Sequence, residues 1–317
     1  MENGRILIIL NNNSGKGEGK KIFEERIEKK LIEIGKLYQI INSEKLDVMI
    51  EILGNIDMSN IIRVVIVGGD GTIHDYVQAI MKRDDRDECI KIGICVVPCG
   101  SGNGLAKNAG IINIEDGIDM IFNGNSSEEY DLNVIEMDGK KRYSFLDVTW
   151  GMISDIDLGT EWLRCIGEWR FYVGILKFLI SNRYVSGKLC YESEDGVRVG
   201  MEGEFCLVCA SNVEWISGDF NMIPFAIKDD NKMDLIYICK MDNDGEISFF
   251  DRCKLLYYFL QGSHLENCDF IKYKRVERVE LDRKGDESGI MCDGELLDVD
   301  SIVMGNSGYR INVISKK

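Results

Sequence analysis

The sequence has little of three features that would each point to a class of protein. It contains no run of about 18 uncharged apolar residues, so no segment is expected to cross a membrane as a helix. It has two histidines, and its eleven cysteines are scattered through apolar runs, so we interpret the thiols as reduced core residues rather than zinc ligands. Positive charge is also scarce, and the formal net charge of −16 argues against binding nucleic acid or adsorbing generally to anionic membranes.

The amino terminus indicates a compartment. The segment Met1–Arg5 runs directly into the apolar residues Ile6–Leu10, and it is too short and too acidic for a signal peptide. We therefore expect a cytoplasmic protein. Hydrophobic residues make up 45% of the chain, which is enough to bury a sizeable core.

The first 125 residues alternate between strand-like and helix-like segments. Helices are expected over Lys20–Ile34, from an N-cap at Ser43 to Leu53, and through about Met81. This rhythm predicts a doubly wound α/β domain over residues 1–125, with a parallel sheet and ligand-binding loops at the carboxyl ends of its strands. The expected strands are Arg5–Leu10, Tyr38–Ile41, Arg63–Val67 and Lys91–Val97.

The character of the chain changes near residue 125. Short alternating segments separated by Gly, Asp or Asn predict a mainly antiparallel β-sandwich over residues 126–317, with helical insertions at roughly Thr160–Ile180 and Ile247–Gln261. A return of the C-terminal segment to the first domain is left open. The expected strands are Tyr130–Met137, Tyr143–Thr149, Gly187–Tyr191, Glu204–Ala210, Met233–Cys239, Phe270–Lys274, Val276–Leu281 and Gly289–Cys292.

Three glycine-rich loops follow three of the expected strands of the first domain. They are Asn11–Gly17, Gly68–Thr72 and Gly100–Gly104. Glycine lets a backbone approach a bulky anion closely and adopt a positive φ, and the N–H groups at the start of the next helix can bind phosphate. One such loop is weak evidence, but three in the same strand–loop–helix setting favour a phosphate-binding domain.

Asp70 stands inside the second of these loops. A tight turn is the simpler interpretation of Gly68–Gly71. A carboxylate in a phosphate-binding loop is nevertheless unfavourable unless it handles a proton or a metal, and both tasks belong to phosphoryl transfer. Lys16 is the only lysine within the three loops, where it could neutralise phosphate.

These motifs carry a resemblance that extends from about residue 5 to about residue 300. The loop Gly68–Thr72 together with Pro98–Ala106 resembles the catalytic domain of diacylglycerol and sphingosine kinases. The glycine-aspartate loop alone is also similar to that of NAD kinases, which lack the second loop. The segment Cys292–Glu295 resembles the C-terminal Asp-Gly-Glu motif of the lipid kinases.

A narrower similarity points to the sphingosine kinases. It rests on Trp150–Leu158, on Glu161, Arg164 and Gly167–Phe171, and on Gly262-x-His264. The resemblance implies ATP-dependent phosphorylation of the primary hydroxyl of a sphingoid base, with ATP and Mg²⁺ as cofactors and a transient membrane surface as a partner. A diacylglycerol or ceramide kinase, an NAD-kinase-like enzyme and a catalytically inactive lipid sensor remain alternatives. The oligomeric state is left open.

The resemblance also implies roles for particular residues. Asp70 would be the catalytic base, and Asp293 and Glu295 would lie near the metal. The implied substrate-binding residues are Asp147, Met152, Ile156, Asp157, Phe171 and His264. The implied nucleotide-binding residues are Asn11, Asn13, Ser14, Lys16, Ser43, Gly69, Gly71, Thr72, Gly100, Ser101, Gly102, Asn103, Arg164, Arg170, Gly294 and Glu295.

Simpler interpretations stand beside several of these roles. Asp293-Gly294 could form a hairpin turn, His264 could be a core histidine, and Asp157 could be an acid at a helix start. Two positions depart from the related kinases: Asp75 stands where they usually carry glutamate, and Asp147 where sphingosine kinases commonly carry serine. The aspartate at position 147 leaves the geometry of head-group recognition open.

Overall fold

The computed structural model describes residues 4–12, 17–43, 45–160, 169–180, 183–243, 245–285 and 288–316, with the backbone only at residues 169–172, 175 and 243. The chain divides into two compact units. The first comprises Met1–Tyr130 with Tyr309–Lys317, and the second comprises Asp131–Gly308. The predicted domain boundary near residue 125 stays a prediction.

The first unit is built on a parallel sheet. Its strands are β1 (Arg5–Leu10), β2 (Tyr38–Asn42), β3 (Ile61–Gly68) and β4 (Ile94–Pro98), in the order β2-β1-β3-β4. The final strand of the chain, β14 (Ser301–Ile314), pairs in parallel with β4 through Val313 and Ile94. Strands β1, β3 and β4 are almost entirely buried, which explains their continuous apolar sequences. The predicted parallel α/β arrangement is confirmed.

Helices connect these strands. The predicted helix over Lys20–Ile34 is observed as α1 and α2 joined by a π-helical segment, Phe23–Glu28, and it buries Phe23, Ile27 and Leu31. The helices of this unit are α1 (Gly19–Ile22), α2 (Lys29–Glu33), α3 (Leu46–Asn55), α4 (Asp70–Met81), α5 (Arg86–Cys89), α6 (Gly104–Asn108) and α7 (Ile114–Asn123).

The predicted N-cap at Ser43 is wrong. Helix α3 begins at Leu46, and its N-cap residue is Lys45, which makes no side-chain capping bond. The Ser43 N–H instead donates to the Leu10 carbonyl at 2.8 Å, so the pairing of β2 with β1 continues one residue past the strand. That extension postpones the start of the helix.

The second unit is mainly antiparallel, as predicted. Its strands follow the order β13-β12-β7-β9-β10-β11-β14, while β8 pairs with β9 and β11, and β6 pairs with β5. Strand β5, like β14, passes through the boundary between the two units. The strands are β5 (Ser127–Met137), β6 (Lys140–Ser144), β7 (Asp147–Gly151), β8 (Val185–Ser193), β9 (Arg198–Ser211), β10 (Met233–Cys239), β11 (Lys272–Lys284), β12 (Ile290–Cys292) and β13 (Glu295–Leu297).

Two strand predictions need correction. The predicted strand Tyr143–Thr149 is two strands, because Phe145 and Leu146 form the connection between β6 and β7. The two strands predicted over Phe270–Leu281 are the single strand β11. The first error arises because the alternation of apolar residues continues across the connection between β6 and β7. The second arises because the alternation pauses within β11.

Alternation along the central strands gives the second unit two buried faces. On β10, Leu235 and Tyr237 enter one apolar cluster, whereas Ile236 and Ile238 enter another. We call the second group the helix-side cluster, because helices supply much of it. Its members include Met152, Ile156, Phe178, Tyr184, Cys206, Ile236, Ile238, Ile247, Leu255, Phe259 and Cys268.

The helices of the second unit are α8 (Met152–Thr160), α9 (Trp169–Ile180), α10 (Phe249–Leu260) and α11 (His264–Asn267). The predicted helix Thr160–Ile180 is observed over Trp169–Ile180, Thr160 is the last described residue of α8, and residues 161–168 lie outside the described part of the chain. Helix α10 begins with a capping box between Ser248 and Asp251. Across the described ranges, no helix combines the length and the apolar character needed to span a membrane.

Candidate functional site

The carboxyl ends of the parallel strands bring several predicted nucleotide-binding residues to one edge of the first unit. Asn11 follows β1, Ser43 follows β2, Gly69 follows β3 and Gly100 lies two residues beyond β4. Strand β1 lies between β2 and β3, so the order of the sheet reverses there. Ligands of open α/β sheets bind outside the carboxyl ends of the strands at such a reversal.

The first glycine loop is joined by a hydrogen bond to helix α4, which begins within the second glycine loop. The Asn11 Nδ2 donates to Thr72 Oγ1 at 2.9 Å. Gly68 leaves room for this pair, because a Cβ at Gly68 would lie 2.6 Å from Thr72 Oγ1. The structure therefore brings together Asn11 and Thr72, two of the predicted nucleotide-binding residues.

The second and third glycine loops touch through their backbones. A Cβ built on Gly100 would lie 2.4 Å from the Cα of Gly69, and one built on Gly69 would lie 2.7 Å from the Cα of Gly100. Neither glycine has a positive φ. The positive φ that glycine permits is therefore not used at either position, and the absence of a side chain here allows the close approach of the two loops.

Asp70 joins the same two loops through its side chain. It is the first residue of α4 and is buried, with 8% of its surface exposed. Its Oδ2 accepts the Gly104 N–H at 2.8 Å, and its Oδ1 accepts the Leu105 N–H at 3.2 Å. A Cβ at Gly102 would lie 3.1 Å from Oδ2. The carboxylate is therefore held in one orientation by the start of α6.

The third loop is closed on itself by Asn103. Its Nδ2 donates to the Gly100 carbonyl at 2.9 Å, and its Oδ1 accepts the Gly100 N–H at 3.2 Å. Ser101, beside it, is half-buried, and Gly71 is the second residue of α4. The nucleotide-binding roles of these residues stay predictions.

Several predicted site residues cannot be placed. Asn13, Ser14, Lys16 and Arg164 lie outside the described residues, and the side chains of Arg170 and Phe171 are not described. Their roles also stay predictions.

In the second unit, Asp293 and Gly294 form the turn between β12 and β13. Their φ angles are +50° and +83°, as a two-residue hairpin turn with both central residues left-handed requires. The hairpin interpretation left open by the sequence is thus the observed backbone. Gly294 fits this position because it has no Cβ.

The Asp293 carboxylate is surrounded by hydrogen-bond donors from the connection between β6 and β7. Its Oδ1 accepts the Ser144 hydroxyl at 2.7 Å and the N–H groups of Leu146 and Asp147 at 3.0 and 3.2 Å. Its Oδ2 accepts the Phe145 N–H at 3.4 Å. Nothing in the local sequence of residues 144–147 signals this loop, and the sequence analysis missed it.

These bonds bear on the predicted metal ligands. Mg²⁺ needs carboxylate oxygens that can face it. Of the bonds to Asp293, three end on Oδ1 and one, at 3.4 Å, ends on Oδ2, so Oδ2 is the oxygen that could face a metal. Glu295 is exposed on β13 and is not constrained in this way. The metal-binding roles of both residues stay predictions.

Asp147 and Asp157 lie around the same turn. Asp147 is buried, and its carbonyl accepts the Asp293 N–H at 2.9 Å. The Asp157 Oδ2 lies 3.8 Å from the position that a Cβ on Gly294 would take. Asp157 is the sixth residue of α8, whereas Asp155 lies in its first turn and pairs with Arg183 at 3.3 Å. The helix-start interpretation therefore does not fit Asp157.

The predicted lipid-binding residues Met152 and Ile156 both belong to the helix-side cluster. His264 is fully buried next to it: its ring stacks on Phe259 at 3.8 Å, and its Nε2 bonds the Met222 carbonyl oxygen at 2.8 Å. Burial lowers the pKa of His264 to about 4, against the opposing effect of the bond to Met222. The imidazole is neutral at pH 7, as the core interpretation of this histidine requires.

Comparison with known sequences agrees with these motifs. Residues 5–133 match the family of the diacylglycerol kinase catalytic domain. The sphingoid long chain base kinase 4 of Schizosaccharomyces pombe is 28% identical over 270 residues, which cover 74% of this chain and 59% of that protein. The sphingosine kinase 1 of Rattus norvegicus is 29% identical over 200 residues, covering 59% of this chain and 51% of that protein. This chain therefore spans little more than half the length of these two relatives.

A more complete alignment is with the sphingosine kinase 1 of Homo sapiens, 25% identical over 338 residues that cover 92% of this chain and 86% of that protein. Solved structures share the fold. A diacylglycerol kinase from Bacillus anthracis str. Sterne has a TM-score of 0.64 and 14% identity, with 99% of this chain and 97% of that chain covered. The NAD kinase from Archaeoglobus fulgidus has a TM-score of 0.51 and 12% identity, with 99% and 94% covered. The resemblance of this chain to the family of diacylglycerol and sphingosine kinases is therefore confirmed.

Proposed function

We propose that this protein is an ATP-dependent lipid kinase that transfers the γ-phosphate to the primary hydroxyl of a sphingoid base. The observation that carries the proposal is the Asp70 carboxylate, oriented by the N–H groups of Gly104 and Leu105 where two glycine loops touch. This arrangement lies within the segment that matches the diacylglycerol kinase catalytic domain. The named relatives add the sphingoid substrate.

In this proposal Asp70 accepts the proton of the attacking lipid hydroxyl. The N–H groups of Gly104 and Leu105 each bond one oxygen of the carboxylate and fix its orientation. A base held in one orientation loses little freedom when the hydroxyl binds beside it. The two N–H bonds and the catalytic role are therefore compatible.

The glycine loops would hold the nucleotide. At the carboxyl edge of the parallel sheet, backbone N–H groups can approach phosphate. The predicted nucleotide-binding residues at this edge include Asn11, Gly69, Thr72, Gly100 and Asn103. Bound Mg²⁺ would neutralise charge on the phosphates. The metal-binding roles of Asp293 and Glu295 stay predictions, and we assign no step to the metal.

The decisive test is Asp70→Asn, with the exposed residue Asp84 changed to Asn as the matched control for loss of one charge. The Asp70 variant should still bind ATP in calorimetry, while kcat falls by about 10²–10⁴, the usual contribution of a general base. The Asp84 variant should match the wild type. Turnover close to that of the wild type in a folded Asp70→Asn protein would contradict the proposal.

Asp157 is the residue proposed to select a sphingoid base. Such a base carries an ammonium group near the hydroxyl that is phosphorylated, and diacylglycerol and ceramide carry none. Asp157→Asn should raise KM for sphingosine by about 10- to 150-fold, since a charge-assisted hydrogen bond contributes about 1.5–3 kcal/mol, and should leave KM for ATP unchanged. An unchanged KM for sphingosine would contradict the selection of a sphingoid base by Asp157, and only the proposal of a lipid kinase would remain.

A diacylglycerol kinase is the second candidate, and it is favoured by the family to which residues 5–133 match. Labelled-phosphate transfer to sphingosine, ceramide and diacylglycerol in detergent micelles separates the two. Preference for diacylglycerol would select the second candidate. In either case we propose a cytoplasmic enzyme that meets its lipid at a membrane surface transiently.

A further inference from the structure

One face of α10 carries a charge into the apolar interior of the second unit. Arg252, Leu255 and Phe259 follow one another at helical spacing and are the buried residues of this helix. Leu255 and Phe259 belong to the helix-side cluster. Only 6% of the surface of Arg252 is exposed. A guanidinium therefore occupies a position where the pattern of the helix calls for an apolar side chain.

Two of the donors of this guanidinium are unsatisfied. Throughout the described ranges, neither Nε nor Nη1 of Arg252 has a hydrogen-bond acceptor. The Cζ lies 5.9 Å from the centre of the Phe249 ring. Burial raises the pKa of the Cys206 thiol to about 12, the charge of Arg252 partly opposes this effect, and the Asp155 carboxylate, which pairs with Arg183, adds to it. A carboxylate therefore lies in the same region, but it accepts no bond from Nε or Nη1 of Arg252. An arginine cannot relieve its position by losing its proton, so the unused donors are costly.

Arg252 lies at one end of the helix-side cluster. Ile247 precedes the N-cap residue of α10, and its N–H donates to the Tyr184 hydroxyl at 2.8 Å. Val185, which follows Tyr184, pairs with Phe205 on β9. The N-terminal end of α10 is thereby placed beside Phe205 and Cys206 on β9.

The residues proposed to bind the lipid head group lie at the other end of β9. Asp147 pairs with Ser211, five residues beyond Cys206, which is about 16 Å along a strand. The C-terminal end of α10 reaches this same region, since His264 bonds Met222 and the Met222 N–H donates to the Glu214 carbonyl. The stripe Arg252–Leu255–Phe259 therefore runs from the far end of the cluster toward the head-group residues.

We propose that Arg252 binds an oxygen at the far end of the lipid chain, so that the enzyme favours lipids whose chain carries a terminal hydroxyl or carboxylate. The inference rests on the proposed function, because it takes the lipid to lie along the helix-side cluster with its head group near Asp147 and Asp157. A ligand for this position must be apolar along the cluster and polar at its end. A chain-terminal oxygen meets both conditions and supplies the missing acceptor.

The test compares lipid binding in three variants of the full chain. Arg252→Met replaces the charge by an apolar side chain of similar length, Arg252→Lys keeps the charge without the planar donors, and Arg278→Met is the control on an exposed arginine that pairs with Glu280 at 3.0 Å. The probes are sphingosine and two analogues of equal chain length, ending in a hydroxyl or a carboxylate. Binding is measured by calorimetry without ATP, and Tm is measured without lipid.

The wild type should bind the carboxylate analogue about tenfold or more tightly than sphingosine, since a charge-assisted bond is gained. Arg252→Met should abolish this preference and raise the lipid-free Tm by about 2–4 °C, because two buried donor nitrogens without acceptors are removed. Arg252→Lys should retain part of the preference, and Arg278→Met all of it. An equal preference in wild type and Arg252→Met, or none in the wild type, would overturn the inference.

A parallel kinase assay with sphingosine separates this inference from the proposed function. If sphingosine is phosphorylated but the preference for terminal oxygen does not depend on Arg252, only the inference fails. If no lipid is phosphorylated while Arg252→Met still abolishes the preference in binding, the inference stands and the proposed function fails. Displacement of the analogue by millimolar acetate alone would indicate a simple anion site and would also overturn the inference.

Discussion

Two aspartates organise loops in the two units, and they do so in different ways. Asp70 accepts two backbone N–H groups, from Gly104 and Leu105, and is 8% exposed. Asp293 accepts a hydroxyl and three N–H groups and is 3% exposed. Each stands beside a glycine in a motif that resembles lipid kinases, and for each the sequence left a simple turn as the alternative to a functional role.

The difference lies in which segments supply the donors and in how these are divided between the two oxygens. Asp70 accepts one N–H on each oxygen, both from the start of α6. Asp293 accepts three donors on Oδ1 and one bond of 3.4 Å on Oδ2, all from the connection between β6 and β7. The first carboxylate therefore joins two glycine loops, and the second joins a hairpin turn to a strand connection.

The largest effect is expected from breaking the contact that places Asp70. Gly100→Ala would drive a Cβ to within 2.4 Å of the Gly69 backbone, which cannot move like a flexible side chain. We expect a loss of about 3 kcal/mol or more in the free energy of unfolding of the first unit, together with loss of ATP binding.

Gly54→Ala is the control for that change, because Gly54 lies in helix α3 with open space around the added methyl group. It should raise the free energy of unfolding by about 0.5–1 kcal/mol. Both values come from urea unfolding followed by circular dichroism. Wild-type stability and ATP affinity in Gly100→Ala would show that the two loops do not need to touch.

The interior of the second unit should respond to pH through His264. Its pKa is lowered from 6.5 to about 4 in the folded protein, so below pH 6.5 the unfolded chain binds a proton that the folded chain does not. Protonation of His264 therefore costs the folded protein nothing above pH 6.5. As the pH falls from 6.5 toward 4, it lowers the free energy of unfolding by about 3 kcal/mol in total. The free energy of unfolding measured between pH 7 and 4 should fall less in His264→Gln than in the wild type. An equal fall in the free energy of unfolding in the two proteins would contradict the lowered pKa of His264.

Asp293→Asn sharpens the comparison with Asp70. The amide keeps one acceptor oxygen but turns an N–H₂ group toward donors, so charge-assisted bonds to residues 144–147 are lost. We expect the free energy of unfolding to fall by about 1.5–3 kcal/mol. At temperatures where the variant is folded, kcat should fall far less than in Asp70→Asn. A stable Asp293→Asn protein with the same loss of turnover as Asp70→Asn would show that both carboxylates take part in the reaction.

The smallest expected effect compares two serines that each looked like a helix cap. The Ser248 hydroxyl accepts the Asp251 N–H at 3.1 Å, so Ser248→Ala should cost about 1 kcal/mol. Ser43 makes no such bond to α3, and Ser43→Ala should cost no capping energy. Thermal unfolding of the two variants measures the difference. Equal losses would mean that Ser43 stabilises the fold by another route.

Features set by local sequence could be predicted, and features set by contacts between distant segments could not. Continuous apolar runs such as Val64–Val67 can be buried only as central strands, and glycine loops at their ends follow from the same pattern. The bonds from residues 144–147 to Asp293 join positions nearly 150 residues apart. The burial of Arg252 similarly depends on packing that no local window contains.

The path of β14 has a practical consequence for work on residues 5–133 alone. The part that matches the kinase family ends at residue 133, yet the strand beside β4 comes from the last residues of the chain, where Val313 pairs with Ile94. Ser315 and Lys316 add backbone bonds to Ser126 and Ala109. A fragment cut at residue 133 would therefore expose the buried edge of β4, a surface that recruits other strands. Such a fragment should aggregate on expression, whereas one in which residues 309–317 are joined after residue 130 by a flexible linker should stay in solution.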